Sequence, residues 1–409
     1  MTAVTSLEDT KTFARMRLAT VWAALLAAFL LIFGSTLVGA SSAQAAAVTD
    51  TQNGMTFSAD DANVSAGASI TAYNAGVGGV TPVIPATVTI GTNTYSVTGI
   101  GDSAFKNKGL TSVTIPNTVT TIGPFAFGDN SLLTVTIPNS VTTLGNYSFG
   151  SNNLTSVSIS NAVTSIGSNV FSYNHLGSVV IPDLVTDIGT NAFFGNNLTS
   201  VTIPNSVNTI GYDAFAQNLL TSVTIPSSVN DIKDKAFSDN PSLTDVVFLG
   251  PAPVTFTAAG VANGSLGFTP GPVVHYPNSF AAPPAGGYTT PTWQGYTSQR
   301  NPIVTFNMSG HGAAIAPEDV GFGLPATAPT APTASGWKFT GWFTDSVHTN
   351  PASFSSPIAK DTTLYAGWAA DPVLAATGNT VPVVPVTIFG AAALIGGILL
   401  RRRARPAAR

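Results

Sequence analysis

A repeat of 22 residues between positions 99 and 248 constrains the fold more than any other feature. The heptapeptide LTSVTIP begins at Leu110, Leu198 and Leu220, and a near copy begins at Leu154. Large apolar residues recur in columns at the same period. A fixed period of 20 to 50 residues predicts a solenoid, whose units bury their apolar faces only by stacking on one another. The columns are Ile115, Ile137, Ile159, Ile181, Ile203 and Ile225; Val119, Val141, Val163, Val185, Val207 and Val229; Phe105, Phe127, Phe149, Phe171, Phe193, Phe215 and Phe237.

Each heptapeptide has the alternation of a short strand with one buried face, because Val113 and Ile115 alternate with polar residues. Pro116 ends that strand, since proline has no N–H to donate to a neighbour. Stacking then predicts one parallel sheet of seven strands. Gly123 is expected to ease the bend that follows each strand.

A row of asparagines three residues after the phenylalanines is expected to be structural. Inward-facing amides can bond backbone groups of their own turn and of the next one, so we do not interpret them as ligand sites. The row consists of Asn130, Asn152, Asn174, Asn196, Asn218 and Asn240.

Capping segments are predicted at both ends of the array. Residues 48–98 contain a hairpin pattern around Gly91, and residues 249–300 follow the last unit, with strands expected at DVVFLG and PVVHYP. Trp293 and Tyr296 belong to this second cap. The last unit gathers charges that suit an exposed end face: Asp231, Lys233, Asp234, Lys235 and Asp239.

The pattern L-x-x-V-x-I-P, followed by V-x-x-I-G and A-F, resembles the BspA-type leucine-rich repeat of bacterial surface proteins over residues 99–248. This resemblance implies a leucine-rich-repeat solenoid with short parallel strands. The expected fold class is therefore mainly β.

Residues 302–370 resemble a second family, the Listeria-Bacteroides repeat, which implies a small β-grasp-like domain. The matching segments are IVTFN, GWKFTGWFTD and DTTLYAGW. We expect their aromatic residues to form the core of a compact β domain rather than a sugar-stacking site. They are Trp337, Phe339, Trp342, Phe343, Tyr365 and Trp368.

The first 47 residues have the pattern of a secretory signal peptide, which we expect to be helical. Lys11, Arg15 and Arg17 precede an apolar run, and the small residues Ala43 and Ala45 follow it. An uncleaved membrane anchor is the alternative.

Residues 371–409 resemble the cell-wall sorting signal of Gram-positive surface proteins. A pentapeptide, an apolar segment at 381–400 that is long enough to span a bilayer, and five arginines follow one another. The resemblance implies that a sortase-type transpeptidase cuts after the pentapeptide threonine and joins its carbonyl covalently to peptidoglycan. The second position is Ala instead of the common Pro, which leaves the transpeptidase class open. A plain membrane anchor is the alternative, and a lipid-anchor signal fits less well because of the arginines. The pentapeptide is Leu374, Ala375, Ala376, Thr377 and Gly378.

Composition and motifs give no support for catalysis. The chain has no cysteine, and residues 48–377 contain seven Lys and Arg against 17 Asp and Glu, a net charge of −10 that disfavours nucleic-acid binding. The four histidines lack metal-ligand spacing, no cofactor motif is present, and the adjacent acids Asp60 and Asp61 are interpreted as solvated. We therefore expect no catalytic, cofactor or metal residues.

The outward residues of the repeated strands form two columns of small hydroxyls, which are the candidate binding face. An ordinary solvated sheet is the structural alternative. The functional prediction is an exported, wall-anchored protein that binds a host protein, matrix component or polysaccharide through this face. An envelope scaffold without external ligand, a glycan-acting enzyme using Asp183, Asp187 or Asp213, and an ice-binding array are the alternatives. The face comprises Ser112, Thr114, Thr134, Thr136, Ser156, Ser158, Ser200, Thr202, Ser222 and Thr224, with Ser178 and Val180 between.

Overall fold

The computed structural model describes residues 47–259, 264–267, 271–281 and 287–371. The described chain is mainly β, with 22 strands, one short helix α1 (Ala75–Gly78), and 3-10 turns at Val64–Ala66 and Asn278–Phe280. The strands are β1 (Ala47–Gln52), β2 (Met55–Asp60), β3 (Ala68–Tyr73), β4 (Thr87–Ile90), β5 (Asn93–Ile100), β6 (Thr121–Ile122), β7 (Thr134–Thr136), β8 (Thr143–Leu144), β9 (Ser156–Ser158), β10 (Ser165–Ile166), β11 (Asp187–Ile188), β12 (Thr209–Ile210), β13 (Ser222–Ile225), β14 (Asp231–Ile232), β15 (Asp245–Phe248), β16 (Val273–Tyr276), β17 (Thr292–Trp293), β18 (Tyr296–Arg300), β19 (Ile303–Asn307), β20 (Glu318–Asp319), β21 (Trp337–Phe343) and β22 (Thr362–Ala370).

The described residues fall into two compact units. The first contains residues up to 304 together with 318–326 and 355–361, and the second contains 305–317, 327–354 and the residues from 362 onward. Within the described residues, no helix is long and apolar enough to cross a membrane. The predicted signal peptide, except for its last residue, and the predicted transmembrane segment lie outside the described residues.

The first cap consists of an antiparallel sheet that continues into the solenoid. Strands β1, β2 and β3 pair antiparallel, and β3 then pairs parallel with β5. The predicted hairpin is confirmed, because β4 and β5 pair antiparallel across Gly91, with Ile90 opposite Asn93. Strand β5 pairs parallel with β6, and β6 pairs parallel with β8, so the sheet of the first cap continues into the first repeat units.

The repeat units are coils stacked through short parallel ladders. The most regular ladder uses two-residue strands that sequence reasoning did not predict, with Ile166 paired to Ile188, Ile188 to Ile210 and Ile210 to Ile232. The heptapeptides pair with one another at fewer places. Strand β7 pairs with β9, and an isolated bridge joins Val180 to Thr202. The last heptapeptide strand, β13, pairs with β15 of the second cap. The prediction of one continuous seven-stranded sheet from the heptapeptides was therefore wrong. Four-residue strands ending at proline offer few donors to a neighbouring coil.

Continuous inner rows of apolar side chains are confirmed. The seven column phenylalanines are fully buried, and their rings stack on one another with centroid separations between 5.1 Å and 5.9 Å. Tyr73 of the first cap covers the start of this stack, 4.7 Å from the Phe105 ring. The column isoleucines and valines are buried as well.

The column glycines allow successive coils to approach closely. A Cβ on Gly145 would lie 2.2 Å from the Pro124 nitrogen, and one on Gly211 would lie 2.6 Å from the Gly189 carbonyl carbon. Gly123 has the same role, because its Cβ would lie 2.9 Å from the backbone nitrogen of Asp102. The expectation that Gly123 serves the bend is corrected to this close approach, since no column glycine between 123 and 211 has a positive φ.

The second cap is a five-stranded sheet in which β13, β15, β16 and β18 pair parallel and β17 pairs antiparallel with β18. The strands predicted at DVVFLG and PVVHYP are confirmed as β15 and β16. Trp293 and Tyr296 are buried, and both contact the ring of Phe256.

The charges of the last repeat do not form an exposed end face, which corrects that prediction. The Ile232 amide donates to the Thr255 carbonyl and the Phe237 amide donates to the Ser265 carbonyl, so later residues cover this coil. Asp239 alone among the five charged residues is exposed. Lys233 pairs with Asp231 at 2.6 Å.

The last part of the chain contains two antiparallel strand pairs, β19 with β20 and β21 with β22. The predicted aromatic core is only partly correct. Trp342 is buried, 5.1 Å from the Phe306 ring, whereas Trp337 is 37% exposed. Phe339, Phe343, Tyr365 and Trp368 are half-buried. Phe306, Leu364 and Ala366 are buried with Trp342, and the other predicted rings lie at the border of this core.

Candidate interaction surfaces

The predicted binding face lies on the outside of the heptapeptide strands. Nine of its ten residues are exposed, and Thr224 is half-buried. Parallel pairing places Thr134 beside Ser156 and Thr136 beside Ser158, so the hydroxyls form rows along the solenoid. Buried Val135 and Ile137 alternate with them and hold the strand on the core.

Hydroxyls on this face are not used by the fold. The backbone carries the pairing, for example from the Ile137 amide to the Ser158 carbonyl at 2.9 Å. None of the ten side chains has a hydrogen bond to another described residue, so their hydroxyls are open to solvent or to a ligand. A shallow groove of about 370 Å³ borders Ser112, Thr114 and Thr136. Val180, 81% exposed, interrupts the hydroxyl row.

The asparagine row is structural, and the predicted hydrogen bonds from each asparagine to backbone groups of its own turn are confirmed. Asn174 is representative: its Nδ2 donates to the carbonyls of Phe171 and Ser172, both at 3.2 Å, and to that of Phe149 at 3.0 Å. Its Oδ1 accepts from the Leu154 amide at 3.0 Å. The second turn is the preceding one rather than the next, which corrects the predicted direction. With both amide atoms satisfied and 2% exposure, this side chain offers nothing to a ligand.

The histidines are placed singly. His275 is buried, with Nε2 2.8 Å from Asp245 Oδ1 and its ring stacked on Phe322 at 3.9 Å. Burial lowers the pKa of His275, and the Asp245 carboxylate opposes that shift. Among the described residues, no group of three or more His, Asp or Glu side chains could hold a metal ion.

The acids considered for chemistry have structural surroundings. Asp60 and Asp61 are exposed, as predicted, and Asp61 also accepts a hydrogen bond from the Tyr95 hydroxyl at 2.9 Å. Burial raises the pKa of Asp213, and nearby Lys235 opposes that shift. Asp183 and Asp187 are exposed on the solenoid surface.

Two rows of left-handed residues, which we call the turn edge, border each coil and were missed from the sequence. They recur every 22 residues, and a period-22 enrichment in Asn, Asp and Ser at turn positions was the signal that could have revealed them. The first row is Ser103, Phe125, Tyr147, Asn169, Asn191, Asp213 and Lys235; the second is Asn107, Asp129, Ser151, Tyr173, Gly195, Gln217 and Asp239.

The predicted sorting pentapeptide, Leu374 to Gly378, lies outside the described residues. The described chain ends at Asp371, just after β22.

Two protein families match parts of this chain. Residues 88–199 and 164–256 match the BspA type leucine rich repeat region, in six copies, and residues 303–367 match the Listeria-Bacteroides repeat domain. These residues therefore carry both types of repeat, and the two repeat resemblances read from the sequence are confirmed, whereas the resemblance of residues 371–409 to a sorting signal stays a prediction. No curated protein matches the chain.

Several solved structures are similar to it. A leucine-rich repeat protein from Bacteroides ovatus is 18% identical, with 61% of this chain and 76% of that one covered and a TM-score of 0.29. A leucine rich cell surface protein from Faecalibacterium prausnitzii is 24% identical, with 57% and 90% covered and a TM-score of 0.26. The pneumococcal vaccine antigen PcpA is 14% identical, with 59% and 92% covered and a TM-score of 0.25.

Proposed function

We propose that this protein is an exported, wall-anchored surface protein whose solenoid is a non-catalytic interaction module. The observation that supports this proposal is the exposed lattice of hydroxyls that make no hydrogen bond to another described residue, exemplified by Thr134, Thr136, Ser156 and Ser158. Hydroxyls both donate and accept hydrogen bonds, and stacked coils hold them at a regular spacing. The partner is a host protein, a matrix component or a polysaccharide.

Isosteric removal of hydroxyls tests the binding face. The triple variant Thr134→Val, Thr136→Val, Thr202→Val keeps β-branched side chains and removes three hydroxyls. We expect cells that display it to attach less to immobilised matrix proteins and polysaccharides than cells with the unchanged protein. The matched control is Thr121→Val with Thr143→Val, because both residues are exposed and lie on the other ladder of the solenoid. Equal attachment by the test and control variants would refute the role of this face.

Anchoring is proposed to proceed through the sorting pentapeptide. A sortase-type transpeptidase would cut between Thr377 and Gly378 and link the protein to peptidoglycan. We expect Thr377→Ala to move the protein from the wall fraction to the membrane fraction or the medium. Wall-linked protein at the usual level in that variant would contradict this part of the proposal.

A structural role in the envelope is the second candidate, and the short tether favours it. Strand β22 ends at Ala370, and only residues 371–373 separate it from the pentapeptide, so no long stalk lifts the repeats away from the wall. Deletion of the gene distinguishes the two roles. Unchanged attachment combined with altered sensitivity to wall-lytic enzymes supports the scaffold, and lost attachment with a normal wall supports adhesion.

A glycan-acting enzyme remains the alternative from a different class. We expect no turnover of wall or plant glycans by the full chain. Measured turnover that is abolished by a single change at Asp183, Asp187 or Asp213 would overturn the non-catalytic proposal.

A further inference from the structure

Aromatic residues occupy the turn edge at positions where the backbone disfavours them. Fourteen residues form its two left-handed rows, and most are Asn, Asp, Ser, Gly or Gln, but three are aromatic: Phe125, Tyr147 and Tyr173, with φ of 56°, 60° and 53°. A left-handed conformation is unfavourable for an ordinary L-residue, whereas Asn and Gly adopt it readily. The fold would therefore be served better by Asn at these three positions.

Burial compensates for that cost only in part. Tyr173 is 55% exposed and Phe125 is 38% exposed, whereas Tyr147 is half-buried; Tyr212, next to the first row, is 48% exposed. Large rings that remain in solvent at a strained backbone position indicate a role other than folding.

Two tyrosine rings of the turn edge, Tyr147 and Tyr173, pack closely against glycine residues. A Cβ on Gly150 would lie 2.9 Å from three atoms of the Tyr147 ring, and a Cβ on Gly128 would also lie 2.9 Å from that ring. The Tyr147 hydroxyl is held by Ser151 at 2.6 Å and by Asp129 at 3.1 Å. The Tyr147 ring therefore packs against the turns of two successive coils, and the two hydrogen bonds of its hydroxyl fix its position.

Tyr173 has a similar arrangement one coil further along. Its ring lies over Gly195, whose Cβ would be 3.2 Å away, and it meets the Phe194 ring edge-on at 5.2 Å. Phe125 and Tyr147 form the other aromatic pair, at 5.0 Å. The stretch from Phe125 to Tyr212 covers four coil spacings, which is roughly 20 Å. These five rings, Phe125, Tyr147, Tyr173, Phe194 and Tyr212, are named the aromatic edge.

The surroundings of the rings favour a neutral, hydroxyl-rich ligand. The face of an aromatic ring is electron-rich and attracts the polarised C–H groups of a sugar. The same rows carry two half-buried amides, Asn169 and Asn191, a residue type that can both donate to and accept from sugar hydroxyls. Lys106 is paired with Asp129 at 3.5 Å, and its Nζ lies 4.5 Å from the centroid of the Phe125 ring, so this charge is paired and covers one face of Phe125 rather than of the two tyrosines. Polar positions separate the two ring pairs, unlike the continuous apolar centre of a protein-protein hot spot.

We propose that the aromatic edge binds an extended neutral polysaccharide by stacking sugar rings on Tyr147 and Tyr173, independently of the hydroxyl face. The protein would then have two binding surfaces on different sides of the same coils. This site takes a chain rather than a single sugar, because the ring pairs repeat along the solenoid axis.

Asparagine substitution tests the proposal without endangering the fold. Binding of the full chain, captured on a sensor surface, is measured against mannan, laminarin, xyloglucan and hydroxyethylcellulose, with hyaluronan as a polyanion and fibronectin as a protein. We expect at least one neutral polysaccharide to bind, and Tyr147→Asn with Tyr173→Asn to weaken that binding at least about tenfold. The melting temperature of this double variant should stay equal or rise, because Asn suits the left-handed backbone.

Two controls distinguish ring stacking from a contact through the tyrosine hydroxyl and from a general effect of surface substitution. Tyr147→Phe keeps the ring and should retain binding within about threefold, and Thr143→Val, an exposed position outside both the hydroxyl face and the aromatic edge, should leave polysaccharide binding unchanged. The proposal is overturned if no neutral polysaccharide binds, if the double variant binds like the unchanged protein, or if Tyr147→Phe is as damaging as Tyr147→Asn. Ring-dependent binding to fibronectin without polysaccharide binding would overturn it in favour of a protein partner.

Discussion

Replacing one residue of the asparagine row should measure how strongly a side chain holds two coils together. Asn174→Ala removes an acceptor from the Leu154 amide and a donor to three carbonyls. The carbonyls still accept hydrogen bonds from other donors: the Phe149 carbonyl accepts from the Asn152 amide side chain, and the Phe171 carbonyl accepts from that of Asn196. The Leu154 amide, in a residue with 0% exposure, has no second acceptor among the described residues.

The expected loss of stability follows from that single orphaned donor. A buried N–H without a partner costs about 1–3 kcal/mol, whereas each carbonyl loses only one of two bonds. We therefore expect Asn174→Ala to lower the free energy of unfolding by about 1–3 kcal/mol. The neighbouring Asn153→Ala is the control, because the Asn153 side chain is exposed and makes no hydrogen bond to a described residue. It should change stability by no more than about 0.5 kcal/mol.

Urea unfolding followed by circular dichroism measures the stability difference, and hydrogen exchange locates it. The Leu154 amide should lose protection in Asn174→Ala and keep it in Asn153→Ala. Solenoid units are coupled mainly to their nearest neighbours, so protection should fall most in the coils around residues 149–174. If the two variants have the same unfolding midpoint and the same Leu154 protection, the asparagine row does not hold the coils.

Three further outcomes follow from the packing and the charges. Gly189→Ala should lower stability by about 1–3 kcal/mol because the new Cβ would lie 2.8 Å from the Gly167 carbonyl carbon, whereas Gly177→Ala, with open space around it, should leave the melting temperature unchanged or slightly raised. Phe171→Ala should cost about 3–5 kcal/mol in urea unfolding, since it removes a fully buried ring from the stack. Burial lowers the pKa of His275 from 6.5, so the folded state binds fewer protons than the unfolded state. The contribution of neutral His275 to stability is therefore complete above pH 6.5 and falls as the pH drops below that value. We expect His275→Gln to reduce the change of the urea unfolding midpoint between about pH 7 and pH 5.

Periodicity was sufficient to predict the interior of the solenoid. Apolar residues at a fixed spacing have to lie on one inner row if the coils stack, and Phe127, Phe149 and Phe171 do so. The hydrogen bonds of the asparagine row could be predicted in kind, because a buried amide beside a turn must satisfy its polar atoms. Whether these hydrogen bonds run to the preceding or to the next coil could not be predicted, because both neighbouring coils offer backbone groups to a buried amide.

Details that depend on the approach of two backbones were beyond sequence reasoning. A two-residue strand such as β11 has no alternation to recognise, and it exists because Gly167 and Gly189 let consecutive coils come close. The border position of Trp337 was missed for a related reason. Aromatic composition predicts a core, but which rings reach its centre depends on how the strands cross.

The organisation of each coil explains why function should be sought on its outer edges. Backbone hydrogen bonds, the phenylalanine stack and the asparagine row connect neighbouring coils. At the turn edge it is the backbone that takes part, for example from the Tyr147 amide to the Ser168 carbonyl, so the choice of side chain there and on the hydroxyl face is less constrained by coil stacking. Selection for folding alone would leave these outer positions with residues that suit their backbone, as Asn169 and Asn191 do. Tyr147 and Tyr173 depart from that rule at an energetic cost, although Tyr173 is exposed and Tyr147 is only half-buried. If asparagine at these two positions raises the melting temperature and abolishes polysaccharide binding together, the tyrosines are retained for the ligand and not for the fold.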